Sequence, residues 1–166
     1  NWLLKSSPHK VAGFGGIDFW KDGRETYDNI HLVYSYPNGV KASFTCLTSN
    51  AKDDYQIKVM GENATILIDH QNAWKYPEGK YNKIISDVDG VSGATASWEE
   101  GKGNKINYDH KDPTTQALED FRSSIINNTT PLSNVNTGAA VSFAVQMGID
   151  AMDKEQVISW NTKYNI

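Results

Sequence analysis

Two neighbouring segments of alternating side chains, joined by a short turn, constrain the fold of this chain most strongly. Residues 30–36 and 40–47 alternate with a period of two and are rich in β-branched and aromatic residues. The turn Pro37-Asn38-Gly39 lies between them. A proline followed two residues later by a glycine suits a three-residue connection between antiparallel strands. The sequence therefore predicts a β-hairpin here.

Further strands are predicted on both sides of this hairpin. Residues 9–16 alternate loosely, and residues 55–60 and 64–68 form a second alternating pair around Gly61-Glu62-Asn63. Shorter strands are predicted at residues 73–76 and 156–160. The chain thus has at least four predicted strands before its first predicted helix.

Two helices are predicted late in the chain. The first opens at residues 112–114 and places Leu118, Phe121 and Ile125 on one face. The second runs from about Asn134 to Met152 and has almost no polar face, so we expect it to be buried between other layers. Hairpins followed by two helices predict an α+β fold, with an open, mostly antiparallel sheet and helices packed on one face.

Composition limits the function classes. The 166 residues carry a formal charge of −4 with no run of Lys or Arg, which argues against a nucleic-acid partner. The longest nearly apolar stretch, Gly138 to Ile149, is shorter than the roughly 20 residues that span a bilayer, so no membrane segment is expected. The single Cys46 and four unclustered histidines predict neither a disulfide nor a metal site.

We expect one domain over residues 1–166. Residues 77–111 are rich in Gly, Asn, Asp and Ser and have few periodic apolar residues. This segment is predicted to be an irregular insertion into that domain.

The loop that follows the first predicted strand is the strongest candidate for a binding site. Residues 16–29 combine three aromatic side chains with a lysine, an arginine and four acids. Aromatic rings can stack on sugars, while arginine and carboxylates bond hydroxyl or acid groups. The alternative is a structural loop, with a turn at Asp22-Gly23 and Arg24 paired to Glu25 or Asp28. The predicted substrate-binding residues are Trp20, Lys21, Arg24, Tyr27, Asp28 and His31.

The glycine cluster Gly13-Phe14-Gly15-Gly16 does not predict a nucleotide site. A dinucleotide-binding turn needs a further glycine three residues after the second one, where this chain has Asp18, and a helix must follow. Glycines within a strand more often mark a bulge or a close approach of backbones.

The order of several segments resembles a known family. Asp22-Gly23-Arg24-Glu25 precedes the hairpin 36–44, and Lys58 to Ile66 follows with its Gly-Glu-Asn-Ala-Thr sequence. The Leu118-Glu119-Asp120-Phe121 helix, the linker 127–131 and the final helix and strand continue the pattern. This order resembles the C-terminal domain of the Gfo/Idh/MocA oxidoreductases, which include glucose-fructose oxidoreductase and inositol dehydrogenase. Residues 77–111 match this pattern least.

The resemblance implies a sheet like that of the C-terminal domain of glyceraldehyde-3-phosphate dehydrogenase. It also implies an N-terminal Rossmann domain that binds NAD or NADP, and a catalytic histidine just upstream of residue 1. This chain would then contain no catalytic or cofactor-binding residue. It would bind a sugar or polyol substrate and associate into a homo-oligomer through its sheet face.

The expected function is thus that of a substrate-binding and oligomerisation domain of an NAD(P)-dependent oxidoreductase, inactive in isolation. The alternative is a stand-alone carbohydrate-binding or dimerisation domain, consistent with five Trp and eight Tyr residues. We expect a bacterial cytoplasmic location, with the periplasm as the alternative.

Overall fold

The structure is a computed structural model that describes residues 3–52, 54–78, 103–108 and 111–161. These residues form eight strands and two helices. In chain order they are β1 (Lys10–Gly16), β2 (Asn29–Ser35), β3 (Lys41–Leu47), β4 (Ile57–Met60), β5 (Ala64–Ile68), β6 (Ala73–Pro77), β7 (Asn104–Lys105), α1 (Pro113–Asn127), α2 (Val135–Lys154) and β8 (Ile158–Ser159).

The chain divides into two compact units. The first unit comprises Asn1–Asn50 and Asp112–Ile166, and the second comprises Ala51–Lys111. The first unit contains a four-stranded sheet in the order β3-β2-β1-β8, together with α1 and α2. The second contains a four-stranded sheet in the order β4-β5-β6-β7.

The predicted hairpin is confirmed in the first unit. Strands β2 and β3 pair antiparallel from Asn29 opposite Leu47 to Ser35 opposite Lys41. In the turn, the Gly39 N–H donates to the Tyr36 carbonyl at 3.0 Å, and Gly39 has a φ of +86°. A glycine reaches this left-handed region without steric cost, which explains why the turn has a glycine there.

Helix α2 packs on one face of the first sheet through its C-terminal half. The core is formed by Val11 and Leu32 from the sheet and by Met147, Ala151 and Met152 from the helix. The helix approaches the sheet so closely that a Cβ atom on Gly148 would lie 2.5 Å from Tyr34 Oη and 2.7 Å from Leu32 Cδ1. The glycine therefore sets the distance between helix and sheet.

The expectation that α2 is buried on all sides is wrong. Its buried residues all lie between Met147 and Met152, while Val135 is 80% exposed and Val145 is 53% exposed. A helix that crosses a sheet touches it only over part of its length and on one side, so apolar residues outside that contact, such as Val135 and Val145, remain exposed. Their hydrophobicity alone could not indicate which of them would be covered.

Helix α1 begins at the predicted position, after Asp112, but buries none of its side chains. The Asp112 carboxylate accepts a hydrogen bond from the Thr115 N–H at 2.8 Å, and the helix ends at Asn128 in the left-handed conformation. The predicted apolar residues Leu118 and Phe121 are 65% and 58% exposed. The apolar face of α1 is thus formed as predicted, but the described residues do not bury it.

The second unit contains the second predicted hairpin and the strand predicted at residues 73–76. Strands β4 and β5 pair antiparallel, as do β5 and β6. Within residues 77–111, predicted to be irregular, the described residues 103–108 include β7, which pairs with Trp74 and Lys75 of β6. Residues 79–102 and 109–110 of that segment lie outside the described residues.

The predicted α+β class is confirmed, with antiparallel pairing throughout the described strands. The strands are distributed over two four-stranded sheets. Over the described ranges, neither helix has the length and apolar character needed to cross a membrane.

Candidate functional site

The loop at residues 17–28, which connects β1 to β2, is closed by a backbone contact at its base. The Asp28 N–H donates to the Gly16 carbonyl at 2.9 Å. Most of its side chains are exposed, whereas the two strands that it joins are paired over their full length. The loop is therefore an exposed segment on a rigid base, as is common for binding loops.

The buried carboxylate of Asp28 organises the first half of this loop. Its residue is only 2% exposed, and its oxygens accept hydrogen bonds from the N–H groups of Asp18, Phe19 and Trp20 at 3.2, 2.9 and 2.8 Å. The Asn29 amide donates a fourth at 2.9 Å. Burial acts to raise the pKa of Asp28, but these donors stabilise the anion and together hold that pKa well below its usual range.

Trp20 is held in one orientation by its indole nitrogen. Its Nε1–H donates to Thr48 Oγ1 at 3.1 Å, and the Thr48 hydroxyl donates to the Asp28 carbonyl at 3.2 Å. The Phe19 ring packs edge-on against the indole, with centroids 4.9 Å apart. Trp20 nevertheless remains 39% exposed. The loop thus presents an oriented aromatic surface to solvent.

Arg24 lies over this aromatic surface and is paired with Asp22. Its Nε–H and Nη2–H donate to the two carboxylate oxygens of Asp22 at 2.9 and 2.6 Å. The guanidinium carbon is 5.2 Å from the centroid of the Trp20 ring, within range of a cation–π contact. The hydrogen bond from Arg24 lowers the pKa of Asp22 to about 2. The same pairing raises the pKa of Arg24.

The other predicted site residues point in different directions. Lys21 Nζ donates to the Ile17 carbonyl at 2.6 Å, within the loop. The Tyr27 hydroxyl donates to Asp153 at the end of α2 at 2.5 Å, and this hydrogen bond raises the pKa of Tyr27. His31 lies on β2, opposite Phe14 and Thr45 in the neighbouring strands.

The structure therefore gathers Trp20, Lys21, Arg24 and Asp28 in one loop, but ties Tyr27 to α2 and places His31 on the sheet. Three residues that sequence reasoning did not select also contribute. Asp22 orients Arg24, Thr48 orients Trp20, and Asp153 anchors Tyr27. The pairing of Asp22 with Arg24 could have been predicted from the Asp22-Gly23-Arg24 sequence, because the two residues are joined by one turn. In that turn the Asp22 carboxylate also accepts the Arg24 N–H at 3.2 Å. Thr48 and Asp153 are distant in sequence and carry no such signal.

His31 belongs to the face of the first sheet opposite to α2. Leu32 contacts the helix, so its neighbours His31 and Val33 point to the other side. Exposed apolar residues on that side are Phe14, Val33 and Leu47, at 73%, 47% and 42% exposure. We call this side, with Phe14, His31, Val33, Thr45 and Leu47, the open sheet face.

The glycines of β1 do not fit a dinucleotide site. A Cβ atom on Gly13 would lie 2.0 Å from the His31 carbonyl oxygen, and one on Gly15 would lie 2.7 Å from Met152 Sδ. Both glycines thus permit close packing within the unit. The segment after Gly16 is a loop and not a helix, so it offers no helix N-terminus for a pyrophosphate.

A concave surface lies within the second unit. Residues 54–56 and 69–72 line a shallow depression of about 300 Å³. Tyr55 and His70 stack there with ring centroids 4.9 Å apart, and His70 Nε2 is 3.3 Å from the Asp54 carboxylate. Over the ranges that the structure describes, no group of three or more His, Cys, Asp or Glu side chains is arranged to hold a metal ion.

Comparison with known proteins gives one family match and several similar structures. The family model described as "Oxidoreductase family, C-terminal alpha/beta domain" matches residues 1–159. A comparison with curated proteins gives no match.

Three solved structures illustrate the similarity of fold. The aldose-aldose oxidoreductase from Caulobacter crescentus, complexed with glycerol, has a TM-score of 0.70 at 15% identity, covering 95% of this chain and 43% of that protein. A UDP-N-acetylglucosamine 3-dehydrogenase from Acidithiobacillus ferrooxidans has a TM-score of 0.63 at 15% identity, covering 90% and 43%. A levoglucosan dehydrogenase in complex with NADH and L-sorbose has a TM-score of 0.62 at 12% identity, covering 92% and 44%. The chain thus spans less than half the length of these proteins.

Proposed function

Because this chain belongs to the Gfo/Idh/MocA oxidoreductase family as its C-terminal α/β domain, we propose that it is the substrate-binding and oligomerisation part of an NAD(P)-dependent enzyme that acts on a sugar or polyol. The family match over residues 1–159 is the observation that carries this proposal. The names of similar structures, an aldose oxidoreductase and a levoglucosan dehydrogenase, support a saccharide-like substrate.

The proposed substrate contacts come from the loop at residues 17–28. Trp20 offers an exposed aromatic surface, and its indole is already oriented by Thr48. Asp28 acts as a positioning residue, since its oxygens hold the backbone of residues 18–20. Arg24 and Lys21 are polar groups on the same loop. Tyr27 and His31 complete the predicted set, although Tyr27 is bonded to Asp153 of α2 and His31 lies on the open sheet face.

The proposed reaction needs a bound nicotinamide cofactor and groups that transfer a proton. A nicotinamide cofactor supplies hydride transfer when it is bound. The glycines of β1 serve internal packing, so we propose that NAD or NADP is held elsewhere in the full-length protein. We also propose that the proton-transfer groups lie outside this chain, and that the isolated chain is inactive.

The open sheet face is the proposed site of self-association. It combines the exposed Phe14, Val33 and Leu47 with the polar His31 and Thr45. A two-fold interface uses the same patch on both subunits, and a sheet face with scattered apolar side chains can be self-complementary. We propose a homo-oligomer formed through this face.

The test is a steady-state assay of the full-length protein with a panel of sugars and polyols, using NAD⁺ or NADP⁺ for oxidation and NADH or NADPH for reduction. We expect Trp20→Ala to raise KM for the best substrate by about tenfold, because it removes an oriented aromatic contact. Tyr55→Ala is the matched control, since Tyr55 is a similarly exposed aromatic residue at 48% in the second unit.

An unchanged KM in Trp20→Ala would contradict the proposed binding role of the loop. Sugar binding without turnover under any cofactor condition would instead support the stand-alone carbohydrate-binding alternative.

A further inference from the structure

We propose that the loop at residues 17–28 selects uncharged sugars or polyols over anionic sugar derivatives such as sugar acids and sugar phosphates. This inference rests on the proposed function and specifies the charge of the substrate. The observation behind it is that Arg24, the only arginine of this loop, is already paired with Asp22.

The guanidinium of Arg24 is committed to a partner within the loop. A substrate carboxylate or phosphate is normally recognised by two parallel hydrogen bonds from one edge of a guanidinium. In this structure, Nε and Nη2 of Arg24 make these two bonds to Asp22, at 2.9 and 2.6 Å. An anionic substrate that used this edge of the guanidinium would have to displace a carboxylate that is attached two residues away, and the edge that remains has its charge already neutralised by Asp22.

Asp22 is a persistent competitor for that position. Its pKa is lowered to about 2 by the hydrogen bond from Arg24, so it is ionised at any pH near neutrality. Its carboxylate also accepts the Arg24 backbone N–H at 3.2 Å, which holds it beside the guanidinium. The Arg24–Asp22 pair therefore has no net charge to offer an anion.

The remaining charges of the loop disfavour an anion further. Residues 17–28 contain two basic and four acidic side chains, which give this segment a formal charge of −2. The ammonium of Lys21 donates to the Ile17 carbonyl at 2.6 Å. Asp18 and Glu25 are exposed acids on the same loop. An approaching anion would meet like charges, which lowers both its affinity and its rate of association.

The uncharged features of the loop suit hydroxyl-rich ligands. The Trp20 indole and the Phe19 ring are 39% and 62% exposed, so they provide apolar surface for the C–H groups of a sugar or polyol. The exposed carboxylates can accept hydrogen bonds from hydroxyl groups without an opposing charge. Aromatic surface and hydrogen-bond acceptors together match a neutral ligand.

The experiment compares a neutral substrate with a related anionic one that carries a carboxylate or phosphate at the same carbon, using the full-length protein and its nicotinamide cofactor. Suitable pairs are glucose with glucuronate, and sorbitol with sorbitol 6-phosphate. For a pair in which turnover is detected, we expect kcat/KM of the neutral member to be at least about tenfold higher than that of the anionic member. The preference should decrease as ionic strength rises, because salt screens exposed charges.

Two variants distinguish the Arg24–Asp22 pair from general charge. Asp22→Asn removes one negative charge and also releases the Arg24 guanidinium, so we expect it to reduce the neutral-to-anionic ratio of kcat/KM by about tenfold. Glu25→Gln removes one negative charge from the same loop and leaves the pair intact, so we expect a smaller change. Equal effects of the two variants would overturn the role of the pair.

The two levels of the proposal fail in different ways. Equal or higher kcat/KM for the anionic member, with Trp20→Ala still raising KM, would overturn the charge selectivity and leave the binding loop in place. The proposed function itself is contradicted if neither member of any pair is turned over. It is also contradicted if a substrate is turned over but Trp20→Ala leaves the KM for that substrate unchanged.

Discussion

Asp28 illustrates how one side chain can determine the conformation of a loop. Three consecutive N–H groups, from Asp18 to Trp20, donate to its carboxylate, and its own N–H closes the base of the loop. The sequence predicts that Asp28 contacts substrate. Its burial among backbone donors supports a positioning role for it, because its oxygens already accept hydrogen bonds from the loop.

This environment predicts a pH dependence of stability. The pKa of folded Asp28 lies below the ordinary value of 3.8, so the unfolded state binds a proton more readily. The stabilisation from Asp28 is therefore complete above about pH 4 and is lost as the pH falls below that value. We expect the free energy of unfolding to decrease less steeply below pH 4 in Asp28→Asn than in the wild-type chain, measured by urea denaturation.

The comparison requires a variant that is folded at neutral pH, which far-ultraviolet circular dichroism at pH 7 establishes. Asp22 and Asp69 also have lowered pKa values and are present in both proteins, so their contributions cancel in the difference. Parallel pH curves for the two proteins would show that Asp28 does not contribute in this way.

Among the elements, α2 shows most clearly how packing depends on small residues. Gly148 lies against Tyr34 and Leu32, and the Tyr34 hydroxyl donates to the Ala144 carbonyl at 3.0 Å. Helix and sheet are therefore in contact at the backbone of the helix. Gly138, in the first half of the same helix, has no atom within 4 Å of the position where a Cβ would lie.

These two glycines provide a matched pair of substitutions. We expect Gly148→Ala to reduce the free energy of unfolding by about 1–3 kcal/mol, because the added methyl overlaps a buried side chain and a hydrogen-bonded hydroxyl. Gly138→Ala should instead increase it by about 0.5–1 kcal/mol, because alanine favours the helix and meets no neighbour. Chemical denaturation of both variants measures the difference.

Destabilisation of similar size in both variants would contradict this account of helix packing. It would mean that the first half of α2 is as closely covered as the second half.

For the whole molecule, the distribution of exposed apolar residues is the main constraint on assembly. The open sheet face carries exposed apolar residues on three strands, Phe14 on β1, Val33 on β2 and Leu47 on β3. A separate apolar surface lies on α1, where Leu118, Phe121 and Ile125 are all more than half exposed. The proposed self-association involves the first of these surfaces.

A charge placed on the open sheet face should therefore reduce the oligomer mass. We expect Phe14→Lys to shift the full-length protein toward the monomer in size-exclusion chromatography with light scattering, because two copies would bring like charges together. Phe121→Lys is the matched control on α1, where we expect no change in mass. The opposite pattern would assign the interface to the helix.

Much of the secondary structure could be predicted because it depends on local order. Period-two alternation predicted the hairpin of β2 and β3 and the strands β4 to β6, and the Asp-Pro-Thr sequence at residues 112–114 predicted the start of α1. The short strand β7 could not be predicted, since Asn104 and Lys105 have no strand-like pattern and pair only because β6 is beside them. The substrate site stays a prediction. The loop at residues 17–28 could be predicted from its composition, but its hydrogen bonds with Thr48 and Asp153 could not.

There is a physical reason why some features could be predicted from the sequence and others could not. Alternation, turns and helix caps involve residues a few positions apart, so their energies can be assessed from neighbours in the chain. The burial of α2, the role of Asp28 and the direction of Tyr27 depend on contacts between residues distant in sequence. Such contacts form only when the strands and helices pack. Only the tertiary structure therefore determines which apolar residues of α2 are buried, and that the Asp28 carboxylate binds the backbone of its own loop.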